Sequence, residues 1–211
     1  MNNFVRLKWL GLILIWACQA CSEGNLTPKE YVNYVKDPKN GLVKRCTTDA
    51  GVYMEAFYQP PVYTALLQLK NTILTDKALS EQINKNSGFH HILFSIGSAG
   101  SQPINETLMT LSENKMPLSE KNHHIQYNAQ SSFYLLSNRD SIPCTFYHVQ
   151  STGSIDNQYH MILAFENGGS HLDKNLDDHL TLVFDDTFWF DQKFAFEFDQ
   201  NKLQQSPKLK I

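Results

Sequence analysis

The sequence has no excess of positive charge. Its 211 residues include 18 Lys and Arg against 21 Asp and Glu, which gives a formal net charge of −3 at pH 7. Proteins that bind the phosphate backbone of nucleic acids need a basic surface. No basic group here extends beyond short clusters such as Lys208-Leu209-Lys210. The composition therefore argues against nucleic acid as a partner.

The sequence also lacks the motifs that identify common metal sites. Its 8 histidines show no His-x-x-x-His spacing, and no Cys-x-x-Cys pair occurs after residue 21. The pairs His90-His91 and His123-His124 do not suit one ion, because adjacent residues on a strand point to opposite faces. His148 and His160 fall on two predicted strands, and these strands are candidates for adjacent positions in the sheet. We predict no bound metal ion and no cofactor.

Two predicted loops contain some residues of a known site motif, but neither contains a complete motif. Segment 97–101 follows a predicted strand, yet it lacks the Gly-Lys-Ser/Thr ending of a phosphate loop and the Gly-x-Ser-x-Gly of a nucleophile elbow. The loop 167–178 contains Asp173, Asp177 and Asp178 near His171 and His179, but not the ligand order of an EF-hand. We predict a strand-to-helix connection and a solvated acidic loop, and no catalytic residue.

The N-terminus has the features of an export signal. Arg6 and Lys8 precede the uncharged apolar block Trp9–Ala17, which is shorter than the about 20 apolar residues that a spanning helix needs. A small-residue region then ends at Ala20. Residues 1–20 are therefore predicted to be removed. Cleavage leaves 16 basic and 21 acidic side chains, a net charge of −5.

The cleavage region resembles a bacterial lipobox, in which the Cys after the cut carries the lipid. Ala20 and Cys21 fit this pattern, whereas Cys18 occupies a place usually held by a branched aliphatic residue. We predict lipidation at Cys21, with Cys18 as the alternative acceptor and an ordinary cleavable signal as the alternative to lipidation. Several acyl chains on one residue form an effectively permanent anchor. Ser22-Glu23 does not resemble a retention signal for the inner membrane, which favours the outer membrane.

The remaining cysteines, Cys46 and Cys144, lie in two predicted strands. In an oxidising envelope they are candidates for a disulfide bond. The alternative is two free thiols that behave as small buried hydrophobic side chains.

Periodicity predicts an α+β fold. A capping box at Thr27-Pro28-Lys29-Glu30 begins a helix, and Asp49-Ala50-Gly51 joins two strands as a hairpin. Pro60-Pro61 begins a helix whose apolar residues continue at helical spacing to Ile73. Further helices are predicted at residues 76–85 and 104–111, and a strand at residues 89–96. The second half contains short aromatic and β-branched runs at residues 133–136, 142–150, 158–166, 180–184 and 194–198, which favour an antiparallel sheet or sandwich.

About 190 residues after the leader suit one domain. We assign residues 21–27 to a short tether and residues 28–211 to a single globular domain. Aromatic residues are concentrated between Phe184 and Phe198, and Trp189 is the natural platform for a stacked sugar if it is exposed. The alternative is a core with one aromatic turn.

Several segments resemble an uncharacterised family of Bacteroidetes envelope lipoproteins. They are Tyr34-Val35-Lys36-Asp37-Pro38-Lys39-Asn40-Gly41-Leu42-Val43, Tyr58-Gln59-Pro60-Pro61-Val62-Tyr63-Thr64-Ala65-Leu66, Asp140-Ser141-Ile142-Pro143-Cys144-Thr145-Phe146-Tyr147-His148 and Ser206-Pro207-Lys208-Leu209-Lys210. The resemblance implies an envelope lipoprotein with one globular domain. It implies no activity and no functional residue.

The sequence thus predicts a protein attached to the outer membrane by its lipid, facing the periplasm or the cell surface. Its expected role is structural or in contacts with other envelope proteins, without enzymatic activity. A carbohydrate- or small-ligand-binding lipoprotein is the first alternative, and a hydrolase with an unrecognised site is the second.

Overall fold

The computed structural model describes residues 25–100, 104, 117–137, 140–150, 158–167 and 179–211. The predicted leader, Cys18, Cys21, most of the predicted helix 104–111 and the acidic loop with His171, Asp173, Asp177 and Asp178 lie outside these residues. The described chain combines helices with one eight-stranded sheet.

All neighbouring strands of the sheet are antiparallel, in the order β1-β2-β3-β6-β5-β4-β7-β8. The strands are β1 (Val43–Thr47), β2 (Val52–Gln59), β3 (Phe89–Ser98), β4 (Phe133–Ser137), β5 (Asp140–Gln150), β6 (Gln158–Glu166), β7 (His179–Asp186) and β8 (Gln192–Asp199). The sheet is nearly barrel-shaped: the ring of Tyr58 on β2 lies 5.8 Å from that of Phe198 on β8. A curled sheet of this kind leaves little exposed edge.

The interior of the curled sheet is filled with apolar side chains. Residues at alternate positions along each strand point inward, for example Ile92, Phe94 and Ile96 on β3, all 0% exposed. Rings from several strands meet at Phe94, which contacts Phe133 at 5.1 Å and Phe184 at 5.3 Å between centroids. The interior is therefore a packed core.

Helices pack against the sheet and at its ends. They are α1 (Pro28–Lys36), α2 (Pro61–Gln68), α3 (Asp76–Asn86), α4 (Leu118–His123) and α5 (Gln200–Gln204). The capping box of α1 is present, with both Thr27 and Glu30 in their expected roles. Tyr31 and Val35 of α1 are 0% exposed and belong to the core. After α4, the chain continues through a π-helical turn (His124–Asn128) and a 3-10 turn (Ala129–Ser132) into β4.

The two ends of the described chain are joined. Leu26, which the sequence assigns to the tether, forms a parallel bridge with Leu209. The Leu26 amide donates to the carbonyl of Lys208 at 2.8 Å, and the Lys210 amide donates to the carbonyl of Leu26 at 2.8 Å. The start of the domain is thus fixed beside its C-terminal tail.

The mixed α and β character is confirmed, and the strands lie close to their predicted positions. One sheet unites the N-terminal hairpin with the C-terminal strands, so the two halves are not separate layers. One prediction is wrong: α2 ends at Gln68, and Ile73 is 87% exposed. No helix in the described ranges has the length and apolar character to cross a bilayer.

Candidate ligand-binding groove

An apolar groove lies on the outer face of the sheet, where β2, β3, β6 and β5 run side by side. One row of directly opposed residues crosses the groove: Gln59 faces His91, His91 faces Ala164, and Ala164 faces Phe146. Each pair is set by antiparallel register, which brings four segments distant in sequence to one line. We call this depression the ligand groove.

Helix α2 forms one wall of the ligand groove. The helix begins immediately after β2 because Pro60 and Pro61 end the strand and suit the first helical turn. Thr64 and Leu67 face the groove, and the Thr64 hydroxyl donates back to the carbonyl of Pro61 at 3.0 Å. The hydroxyl of Thr64 is thus satisfied within the helix, at its first turn.

A second helix supports that wall. Gln68 at the end of α2 accepts hydrogen bonds at Oε1 from Asn86 Nδ2 at 3.0 Å and from Gln82 Nε2. Both donors belong to α3, and Asn86 is only 6% exposed. The groove is thus built on elements that pack against one another.

The lining is apolar and partly open to water. The groove encloses about 430 Å³. At its rim, Phe89 is 38% exposed, Leu67 is 47% exposed and Phe146 is 53% exposed, while Ile162 and Ala164 lie on the floor. An apolar depression with exposed apolar side chains at its rim is a candidate binding site.

A β-bulge explains why Phe146 is at the rim. Residues two apart on a regular strand share a face, so Cys144 and Phe146 would both point inward. The register shifts between these two residues, and the bulge turns Phe146 to the outer face while Cys144 stays 7% exposed. Bulges often re-aim a side chain near a functional site.

The described lining of the groove is uncharged at neutral pH. Among the described residues that line it, none is Asp, Glu, Lys or Arg, and burial lowers the pKa of His91, so its imidazole is neutral. The Nε2 atom of His91 is buried and has no hydrogen-bond partner. An unpartnered buried polar atom is costly, and His91 is the one titratable side chain among the described residues that line the groove.

The neighbouring His90 has a different role. It points to the interior, as predicted for adjacent residues on a strand, and its Nδ1 lies 3.1 Å from the hydroxyl of Tyr58. Burial lowers the pKa of His90 to about 4, and the nearby His91 adds to the effect. His90 is therefore a neutral, half-buried residue on the interior face of the strand.

Trp189 does not form a binding platform. It is 7% exposed and belongs to the core, so the predicted stacking surface is wrong for this residue. The turn that contains it is held by Asp186, whose carboxylate accepts N–H bonds from Phe188, Trp189 and Phe190 at 3.1, 2.9 and 2.6 Å. These bonds direct the indole into the protein.

The cysteines are not bridged. Cys46 and Cys144 are both free, and three strands separate β1 from β5 in either direction around the curled sheet. Burial raises the pKa of Cys46 and raises that of Cys144 to about 11, so both remain thiols. The predicted disulfide is therefore wrong. The alternative prediction, two free thiols that are at least partly buried, agrees with the structure.

One pair resembles catalytic machinery but is not accessible. His160 and His148 do lie on neighbouring strands. The Ser95 hydroxyl lies 2.8 Å from His160 Nδ1, a pair that sequence inspection missed because the residues are 65 positions apart. Ser95 is 3% exposed, so a substrate does not reach its oxygen. The pair is consistent with a satisfied polar contact.

Comparisons with protein-family models, curated proteins and solved structures found no match for this chain. Within the ranges that the structure describes, no group of three or more His, Cys, Asp or Glu is placed to hold a metal ion. The functional interpretation therefore depends on the groove and on the sequence features of the N-terminus.

Proposed function

We propose that this chain is a lipid-anchored protein of the bacterial outer membrane whose domain binds a small, uncharged, mostly apolar molecule in the ligand groove. The observation that carries the proposal is the groove itself: an uncharged depression with exposed Phe89, Phe146 and Leu67 at its rim. This is the small-ligand alternative drawn from the sequence, transferred from Trp189 to another surface.

The dimensions support a small molecule. Ligand pockets commonly enclose about 300–1,000 Å³, with an apolar lining and a few polar groups, and this groove encloses about 430 Å³. Covering apolar surface contributes about 25 cal/mol per Å². Gln59, Gln68 and His91 supply polar groups among its lining residues. A charged ligand would lose its hydration without gaining a partner.

Binding is tested by equilibrium titration with 2-methylnaphthalene, an uncharged apolar probe of suitable size. We expect saturable binding to the mature domain. Ala164→Leu places a larger side chain on the groove floor and should weaken binding at least about ten-fold, equivalent to 1.4 kcal/mol. The matched control is Ala195→Leu, at an exposed position on β8, which should bind like the wild type. Equal binding of the probe by both variants would show that the probe does not bind in the groove, which would contradict the proposal.

The anchor is tested separately. Cys21→Ser should release the protein from the membrane fraction and abolish its acylation by mass spectrometry, whereas Cys18→Ser should leave both unchanged. Separation of inner and outer membranes then locates the acylated form. Membrane-bound, unacylated Cys21→Ser protein would contradict the anchor. The groove result is independent of this outcome.

The structural or protein-contact role predicted from the sequence is the competing use of the same surface. Cross-linking from an introduced cysteine at Leu67, with solubilised envelopes, distinguishes the two. A specific protein adduct together with no binding of the probe would replace the small-molecule proposal by a protein contact.

A further inference from the structure

The outer face of the sheet becomes polar at one end of the ligand groove. On β5, Phe146 at the rim is followed on the same face by His148 and Gln150, because every second residue of a strand points to one side. Both polar residues are exposed. The rings of Phe146 and His148 lie 6.5 Å apart between centroids. His148 is thus the next side chain beyond the apolar rim on this strand.

The same change from apolar to polar occurs on the neighbouring strand β6. Ile162, which lines the groove, is paired with His148. The next residue of that face is His160, and it is paired with Gln150. Directly opposed side chains on one face are close neighbours, and diagonal ones are still within reach of long side chains. Two imidazoles and one amide therefore lie together on the outer face, next to the groove.

One of these imidazoles is fixed by the protein. The Nδ1 atom of His160 lies 2.8 Å from the hydroxyl of Ser95, which faces it across the sheet on β3. This contact leaves Nε2 as the nitrogen that can meet a ligand. If the Ser95 hydroxyl donates to Nδ1, Nε2 carries the hydrogen and is a donor, and if the hydroxyl accepts, Nε2 is an acceptor. A ligand hydroxyl complements either form, because it both donates and accepts.

The two ends of the groove differ in charge. In the row of residues that contains Ser95, the charged side chains are Arg45 and Glu55, and they pair with each other at 2.7 Å. At the opposite end, the exposed Glu166 is paired with Phe89. The end with His148 therefore suits a neutral polar group, whereas the end with Glu166 would suit a cation.

We propose that the occupant of the ligand groove is a neutral amphiphile with one hydroxyl group. Its apolar body lies against Phe146 and Ala164, and its hydroxyl hydrogen-bonds to His148 and His160. In this orientation the apolar rim is covered and the polar group keeps hydrogen-bond partners, so neither part is buried at a cost. This inference rests on the proposed function, because it names the chemical class of ligand for the same groove.

The test is an equilibrium titration of the mature domain with three probes that share a naphthalene body. They are 2-methylnaphthalene, 2-(naphthalen-2-yl)ethanol and the corresponding ammonium compound, 2-(naphthalen-2-yl)ethylamine. The short linker carries the hydroxyl away from the rings, as the spacing of Phe146 and His148 requires. We expect the hydroxyl probe to bind about three- to ten-fold more tightly than 2-methylnaphthalene, the effect of one net hydrogen bond. It should also bind more tightly than the ammonium probe.

The histidines are tested by the double variant His148→Leu with His160→Leu. It should lose the preference for the hydroxyl probe and bind 2-methylnaphthalene within about three-fold of the wild type. A merely structural role of the histidines would change both affinities alike. The matched control is His179→Leu, at an exposed histidine on β7, two strands from β5, which should keep the wild-type preference.

Circular dichroism and the melting temperature establish that each variant is folded. If the double variant unfolds, His148→Leu alone removes one partner at an exposed position, where substitutions have little effect on stability. This single variant should lose part of the preference for the hydroxyl probe, and an unchanged preference would count against the inference.

The outcomes separate this inference from the proposed function. Equal affinity of the wild type for the hydroxyl and methyl probes would overturn the inference and leave the apolar groove as a binding site. An unchanged preference in the folded double variant would also overturn it, as would tighter binding of the ammonium probe, which would place the polar group near Glu166. Absence of saturable binding by all three probes would contradict the proposed function and the inference together.

Discussion

Inside the curled sheet, the ring of Phe94 is 0% exposed and lies within 5.5 Å of three other phenylalanine rings, measured between centroids. On the outside of the same sheet, Phe146 is 53% exposed and stands at the rim of the ligand groove. The residue type is the same, and the surroundings are opposite. The interior ring stabilises the fold, whereas the exterior ring has apolar surface that the described part of the chain leaves uncovered.

The two histidines of β3 repeat this contrast. His90 points inward and has a partner in Tyr58 at 3.1 Å, while His91 points to the groove and its buried Nε2 has none. Neighbouring residues on one strand thus serve the core and the groove respectively. A large effect on folding is expected from changes to the interior members, and a large effect on binding from changes to the exterior members.

The largest effect is expected from Phe94→Ala. Removing a fully buried ring leaves a cavity, which typically costs about 3–5 kcal/mol of folding free energy. Urea unfolding at pH 7 measures the loss. A loss of folding free energy below about 1 kcal/mol would contradict the contrast between interior and exterior rings, because the interior would then not be packed around Phe94.

The second largest effect on stability is expected from acidification, because His90 becomes protonated when the protein unfolds. Its pKa in the folded protein, about 4, is lower than the usual value of 6.5, so the folded state binds fewer protons than the unfolded state between these values. Stability is therefore full above pH 6.5 and falls as the pH drops towards 4, by up to about 3 kcal/mol.

The matched variant for this prediction is His90→Asn, which does not titrate and retains an acceptor for Tyr58. Urea unfolding at pH 7 and pH 4.5 should show a smaller acid-dependent loss in His90→Asn than in the wild type. An identical loss in both proteins would assign the acid sensitivity to other groups.

The smallest effect on stability is expected from Phe146→Ala. Substitutions at exposed positions usually change the folding free energy by no more than about 0.5 kcal/mol, and this ring is 53% exposed. Binding of 2-methylnaphthalene should nevertheless weaken, since the ring forms part of the rim. A stability loss comparable to that of Phe94→Ala would show that Phe146 belongs to the core.

Local patterns in the sequence were sufficient for most strands and helices. The capping box at Thr27 and the prolines at positions 60 and 61 place two helix starts because each acts through its immediate neighbours. The end of α2 was not predicted: apolar spacing continues to Ile73, but Asn71 and Thr72 are weak helix formers and the chain turns away.

Longer-range features could not be predicted in this way. The ligand groove depends on the register that aligns Gln59, His91, Ala164 and Phe146, and on a bulge that reverses the side of Phe146. Trp189 was expected to be a candidate platform because its neighbours are aromatic. Its burial follows from the three N–H bonds to Asp186, a contact that composition does not reveal.

The central claim is that the outer groove receives a small apolar molecule while the interior stays closed. Methyl NMR during titration with 2-methylnaphthalene tests it directly on the mature domain. We predict saturable shifts for the methyl groups of Leu67, Ile162 and Ala164, and none for the interior Leu182. Shifts confined to interior methyl groups, or no saturable shift in the groove, would contradict it.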